Sequence, residues 1–208
     1  SKLNYNAAYC PVKVGTPSSE IRLYKNAAEK ADIVISEVGA FDKDIKGLVA
    51  KDCTFRIYKD TRFSKDKTPY KTFMSVILSP HGSKSMQAGG LYVEVGPEKC
   101  ALYSGNYMPE KEELQKIRQR IFENPAKFKA ILKETDFKKH FGTMRGEQNK
   151  RIDKPYMEAS KEVDALLNKQ FYIMHTFEPE RSIQHDFISY CCDVYKASLP
   201  FNNFLMGA

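Results

Sequence analysis

The stretch Thr54-Phe-Arg-Ile-Tyr-Lys-Asp-Thr-Arg-Phe-Ser-Lys-Asp-Lys-Thr-Pro-Tyr-Lys-Thr-Phe-Met-Ser-Val-Ile-Leu78 decides how the chain is read. Residues 54–60 and 70–78 both alternate with period two, the signature of half-buried strands. The polar run Ser64-Lys-Asp-Lys67 between them is a turn signal. Strands joined this closely pair antiparallel, because a parallel neighbour needs a long crossover. Residues 91–95, 100–107 and 171–177 read as further strands, with Gly89-Gly90 and Gly96-Pro97 as turns.

Helices account for much of the remainder. Residues 1–19 are rich in turn formers and read as an irregular lead. Ser19 can cap a helix reaching Val38, with Ile21, Tyr24, Ala28, Ala31, Ile35 and Val38 on one face and Gly39 as its stop. A helix over 110–122 places Leu114, Ile117 and Ile121 together. Asn124-Pro125 opens another that buries Phe128, Ile131 and Leu132, and 160–167 is a shorter candidate. Ser182 is placed to cap a last helix that ends before Pro200. Strands and helices in blocks, rather than in βαβ alternation, predict an α+β fold. The expectation is an antiparallel sheet of about four to five strands packed against helices, one domain over 20–208.

Composition narrows the function classes. The 208 residues suffice for a core without disulfide staples, and no apolar run is long enough for a membrane helix. The start has no apolar leader-like stretch, so a cytoplasmic protein is expected. Five cysteines at irregular spacing fit reduced thiols rather than a zinc or disulfide framework, and the four histidines show no metal-ligand spacing. No metal and no cofactor are expected. The net charge of +7 is concentrated. Residues 51–71 hold seven Lys and Arg against three Asp, and 138–154 hold six against two acidic residues, +4 in each. The second stretch reads as a solvated, mobile loop.

Strand parity turns the first basic stretch into a geometry. Phe55, Ile57 and Lys59 share one face; Arg56, Tyr58, Asp60 and Arg62 share the other. Arginine presents a planar fork matched to phosphate or carboxylate oxygens. The candidate ligand-binding residues are therefore Arg56, Arg62, Lys67 and Tyr70. Asp60 is the candidate catalytic residue, either as a base or by orienting the arginines. His140 and His185 are general-base candidates by type alone. Arg118, directly after Ile117, reads as a solvated helix residue.

Residues 56–72 also resemble the signature of the domain of unknown function 2461 family, Arg-x-x-Arg-Asp-x-Arg-Phe followed by Asp/Asn-Lys-x-x-Tyr. Arg56, Asp60, Arg62, Phe63, Asp66, Lys67 and Tyr70 occupy matching positions. Lys59 stands where that family usually has arginine, which keeps the charge and loses the fork. Residues 89–95, Tyr103–Pro109, Leu114–Arg118 and Lys150-Arg151 extend the resemblance over about 20–205. The family's Trp-Phe-containing N-terminal helix has no counterpart in 1–19. The resemblance implies the fold and carries no activity.

Three functions fit these residues. The first is a binding domain or enzyme for a phosphorylated or otherwise anionic small molecule. The second is a structural or interaction protein with Arg56, Asp60 and Arg62 as an internal salt-bridge network. The third, less favoured, is a nucleic-acid-binding module that uses both basic stretches, with Tyr58, Phe63 and Tyr70 for stacking.

Overall fold

A computed structural model describes residues 31–207 apart from Ile57, Ser64, Asp66, Pro69, His81, 85–88 and Glu98. The lead over 1–19, the first part of the helix expected from Ser19, and Asp66 of the motif therefore lie outside the described residues. The fold is α+β. Its four-stranded antiparallel sheet has the order β1-β2-β3-β4, formed by Met74–Leu78, Leu91–Val95, Cys100–Asn106 and Phe171–Phe177. The helices are α1 (31–38), α2 (Ala50–Cys53), α3 (Lys111–Glu123), α4 (Pro125–Ile131), α5 (Thr135–Phe141), α6 (Lys154–Ala159) and α7 (Phe187–Met206).

The chain divides into two compact units, and β3, β4 and α7 contribute residues to both. The first unit draws on Ser1–Lys84, Tyr92–Leu102 and Thr176–Cys192. In it α1 buries Ala31, Ile35 and Val38, the face that helical spacing predicts, and ends at Gly39. The Asp32 carboxylate accepts the backbone N–H of Ala50 at 3.1 Å and so serves the start of α2. Ile77, Leu78, Cys100, Ala101 and Leu102 are buried strand residues, and Phe177 packs on Phe187 and Tyr190.

The second unit draws on Ser85–Leu91, Tyr103–His175 and Asp193–Ala208. Phe128 of α4 meets Phe204, and Phe137 of α5 meets Phe201, so α4, α5 and the end of α7 share one aromatic core. A buried polar seam ties α7 to β3. Ser104 Oγ donates to Gly90 O at 2.6 Å and accepts from Asn202 Nδ2 at 2.8 Å, while Ser198 Oγ donates to Tyr195 O. Within the seam, Asn202 spends its Nδ2 on Ser104, while its Oδ1 is buried with no hydrogen-bond partner among the described residues.

Several expectations are corrected. Residues 54–60 are not a regular strand: they pair through the isolated antiparallel bridges Thr54↔Val76 and Tyr58↔Tyr70. Four steps separate 54 from 58 and six separate 70 from 76, so one side carries two surplus residues. Bends at Thr72 and Phe73 absorb them, and β1 starts only at Met74. The helix expected over 160–167 is instead α6 followed by a 3-10 turn over Asp164–Leu167. Ser182 is buried inside a 3-10 turn, where its Oγ donates to Pro179 O, and α7 begins later, at Phe187. α7 also runs through Pro200 to Met206. A proline inside a helix costs roughly 3 kcal/mol, and burying Phe201, Phe204 and Leu205 returns about 1.5–3 kcal/mol each. The basic stretch over 138–154 is not a free loop. Residues 138–141 end α5 on the buried Phe141, and Arg145↔Tyr172 and Gln148↔Asn168 are antiparallel bridges.

Gly105 marks the closest approach of β3 to β4. Its φ is +108°, and a Cβ there would lie 2.3 Å from Phe171 O and 2.9 Å from Tyr172 Cα. Gly105→Ala is expected to lower stability by about 2–4 kcal/mol, combining left-handed strain with overpacking against backbone. Urea unfolding measures it, and an unchanged midpoint contradicts the close approach.

Candidate functional site

The hairpin over 54–76 belongs to the first unit, and its burial follows the expected parity. Arg56, Tyr58, Asp60 and Arg62 are exposed; Phe55, Lys59 and Thr61 are half-buried. The alternation survives without a regular ladder because two bridges are enough to hold an extended backbone between them.

Asp60 and Arg62 form a two-point pair. Arg62 Nε donates to Oδ1 at 3.0 Å and Nη2 to Oδ2 at 2.7 Å, while the Arg62 backbone N–H also reaches Oδ1 at 3.2 Å. These contacts use Nε and Nη2 and not Nη1. The pair stands in solvent, with side-chain exposures of 76% for Arg62 and 42% for Asp60. The partners are only two residues apart, and both are exposed. Hydrogen bonds from Arg62, then the charge of Arg56, hold the Asp60 carboxyl below its usual range. A carboxylate stabilised in this way is a poor proton acceptor near neutrality, so the geometry suits orienting Arg62 better than acting as a base.

The other candidates fall around this pair. Lys67 Nζ donates to Thr61 O at 2.8 Å, which ties the loop to itself. The Tyr70 ring packs on Tyr58 at 5.4 Å, beside their backbone bridge. Lys71 Nζ sits over the faces of Phe55 and Phe73, at 5.8 and 5.6 Å. Burial, then the Arg56 charge, lowers the Lys71 pKa. Arg56 therefore acts electrostatically on both Asp60 and Lys71. Phe63 is 94% exposed, with the Arg62 guanidinium carbon 5.7 Å from its ring centre.

The general-base candidates are not part of this arrangement. His140 lies in the second unit, where its ring is 5.4 Å from that of His175 and its carbonyl oxygen is 2.6 Å from His175 Nδ1. Burial lowers its pKa, with His175 and Lys139 adding to the effect. His185 is exposed, just before α7. Cys53 is buried, and its thiol is pushed up to about 11 by burial and then by Asp52 and Asp32, which leaves it protonated and inert at neutral pH. Among the described residues no group of three or more His, Cys, Asp and Glu is placed to hold a metal, and no helix is long and apolar enough to cross a membrane.

Arg118 is the clearest misreading. It is buried on α3, and its Nε and Nη2 donate to Leu166 O and Asn168 O, each at 3.0 Å. The signal was present: Leu114, Ile117, Arg118 and Ile121 form an i, i+3, i+4, i+7 stripe, so Arg118 lies inside the apolar face.

Fold and site together define a class: an α+β chain carrying an exposed, cation-rich hairpin stiffened by a local ion pair. The chain belongs to the family described as conserved hypothetical protein (DUF2461), whose model matches residues 20–204. No curated protein and no solved structure gives a match.

The pair makes a direct prediction. With its folded-state pKa depressed, the Asp60 carboxylate contributes above its unfolded value and that contribution is lost as pH falls through the folded value. Arg62→Ala is expected to return the Asp60 pKa toward the ordinary ~3.9, read by NMR titration of its side-chain carboxyl carbon. Asp60→Asn is expected to leave the melting temperature nearly unchanged, since both partners are solvated. A large loss would restore the structural network.

Proposed function

We propose that the hairpin binds phosphate or carboxylate groups, with Arg62 and Arg56 as the principal anion contacts and Asp60 as a positioning residue. The observation that carries this reading is the two-point Asp60–Arg62 pair at the surface. An exposed ion pair adds little to stability, but it fixes a long side chain that would otherwise lose rotamer freedom on meeting a ligand. Fixing it through Nε and Nη2 leaves the other edge of the guanidinium to meet an anion. Lys67, held against the loop backbone, adds charge, and the Tyr70 hydroxyl is a candidate donor. In this reading Asp60 serves Arg62 and does not abstract a proton.

The test is calorimetric titration with pyrophosphate and with citrate at low ionic strength. Saturable binding is expected, weakened at least ~10-fold in Arg62→Ala, about the ~1.4 kcal/mol expected of a charge-assisted hydrogen bond. Arg62→Lys is expected to fall between the two, because lysine keeps the charge and loses the fork. Unchanged binding in Arg62→Ala, with an unchanged thermal melt, removes the proposal.

A further inference from the structure

We infer that the anion taken by this hairpin is the backbone of a single-stranded nucleic acid, with a base stacked on Phe63; the inference rests on the anion-binding reading above. Phe63 is the observation that a phosphate or carboxylate site does not explain. Its ring is 94% exposed at the loop and supports no core. The Arg62 guanidinium carbon lies over that ring, 5.7 Å from its centre, which sets a cation directly at the exposed phenyl. Tyr58 is 57% exposed and is backed by Tyr70 at 5.4 Å, which gives a second, braced aromatic face. Five residues apart, the two rings can lie up to roughly 17 Å from each other along an extended chain, enough for separate bases.

The charges fit the same ligand. Arg56, Lys65 and Lys67 are exposed around the rings, and Asp60, which would repel a phosphate, is matched by Arg62. Aromatic platforms interleaved with cations hold single strands, because every base presents a π-face while the phosphates follow the cations. In a duplex those faces are covered by their neighbours. A bilayer is the less suited partner, since membrane attachment scales with the apolar area inserted, and Tyr58 carries its hydroxyl.

The chain contains no tryptophan, so Phe63→Trp places a single indole reporter at the loop without touching the core. The probes are an oligothymidylate of about twelve nucleotides, within the range covered by known single-strand sites, a duplex of equal length, phosphatidylserine vesicles and pyrophosphate. Binding of the single strand is expected to quench the indole of Phe63→Trp and to exceed binding of the duplex. Phe63→Ala is expected to weaken single-strand binding about 5- to 100-fold, the range for loss of one stacked base, while pyrophosphate binding stays as in the wild type. Equal oligonucleotide affinity in Phe63→Ala and wild type overturns the inference. So does a blue shift of the indole on vesicles without quenching by the oligonucleotide. Pyrophosphate binding without oligonucleotide binding removes this inference and leaves the anion site standing. Binding of neither removes both.

Discussion

A strand buried on both faces leaves no room for charge, and β3 is such a strand. Cys100, Ala101, Leu102, Ser104 and Asn106 are all buried, and Gly105 faces the backbone of Phe171 too closely for any side chain. In the order β1-β2-β3-β4 this apolar strand lies inside the sheet, so β1 and β4 are its outer strands. Each outer strand is met by an irregular segment through an isolated antiparallel bridge. Thr54↔Val76 brings the 54–60 segment to β1, and Arg145↔Tyr172 brings the 145–148 segment to β4. Each of these segments falls inside one of the two basic stretches of the sequence. Charge at an edge discourages further strands from pairing there, a duty that Lys59 and Arg145 can serve. It does not account for an arginine held at two points or for a solvated phenyl ring.

Much of the fold was legible because its signals are local. Residues 91–95 and 171–177 are strands at the expected bounds, and Ile117, Ile121, Phe128 and Ile131 are buried as helical spacing requires. The misses have a common cause in tertiary context. Pro200 reads as a stop, but the side chains after it bury enough surface to carry α7 onward. Helix α5 was hidden in a basic run, and only Phe137 and Phe141 reveal its buried face. Arg118 lost to its charge what its position on the stripe announced. Its guanidinium is satisfied by carbonyls from distant parts of the chain, Leu166 and Asn168, which no spacing rule within one helix can show.

The candidate site was legible in half. Parity assigned Arg56, Tyr58, Asp60 and Arg62 to one face, and their exposure follows it. Period two says which side chains travel together; it does not say whether they meet protein or water. That second question separates an internal clamp from a surface site, and it turns on the bridges and bends that hold 54–76. The pairing of Asp60 with Arg62 two residues away, rather than with both arginines across a face, is likewise a property of a loop and not of a strand.

The self-contained character of the hairpin has a consequence for how such a protein can diversify. Asp60 positions Arg62 from two residues away, Lys67 is tied to Thr61 within the same loop, and Tyr58 rests on Tyr70 across a single bridge. The two surplus residues between the bridges are slack that a change of length can draw on or add to. The loop is thereby separable from the fold: its exposed residues can change one by one while the buried strand β3 keeps its sequence.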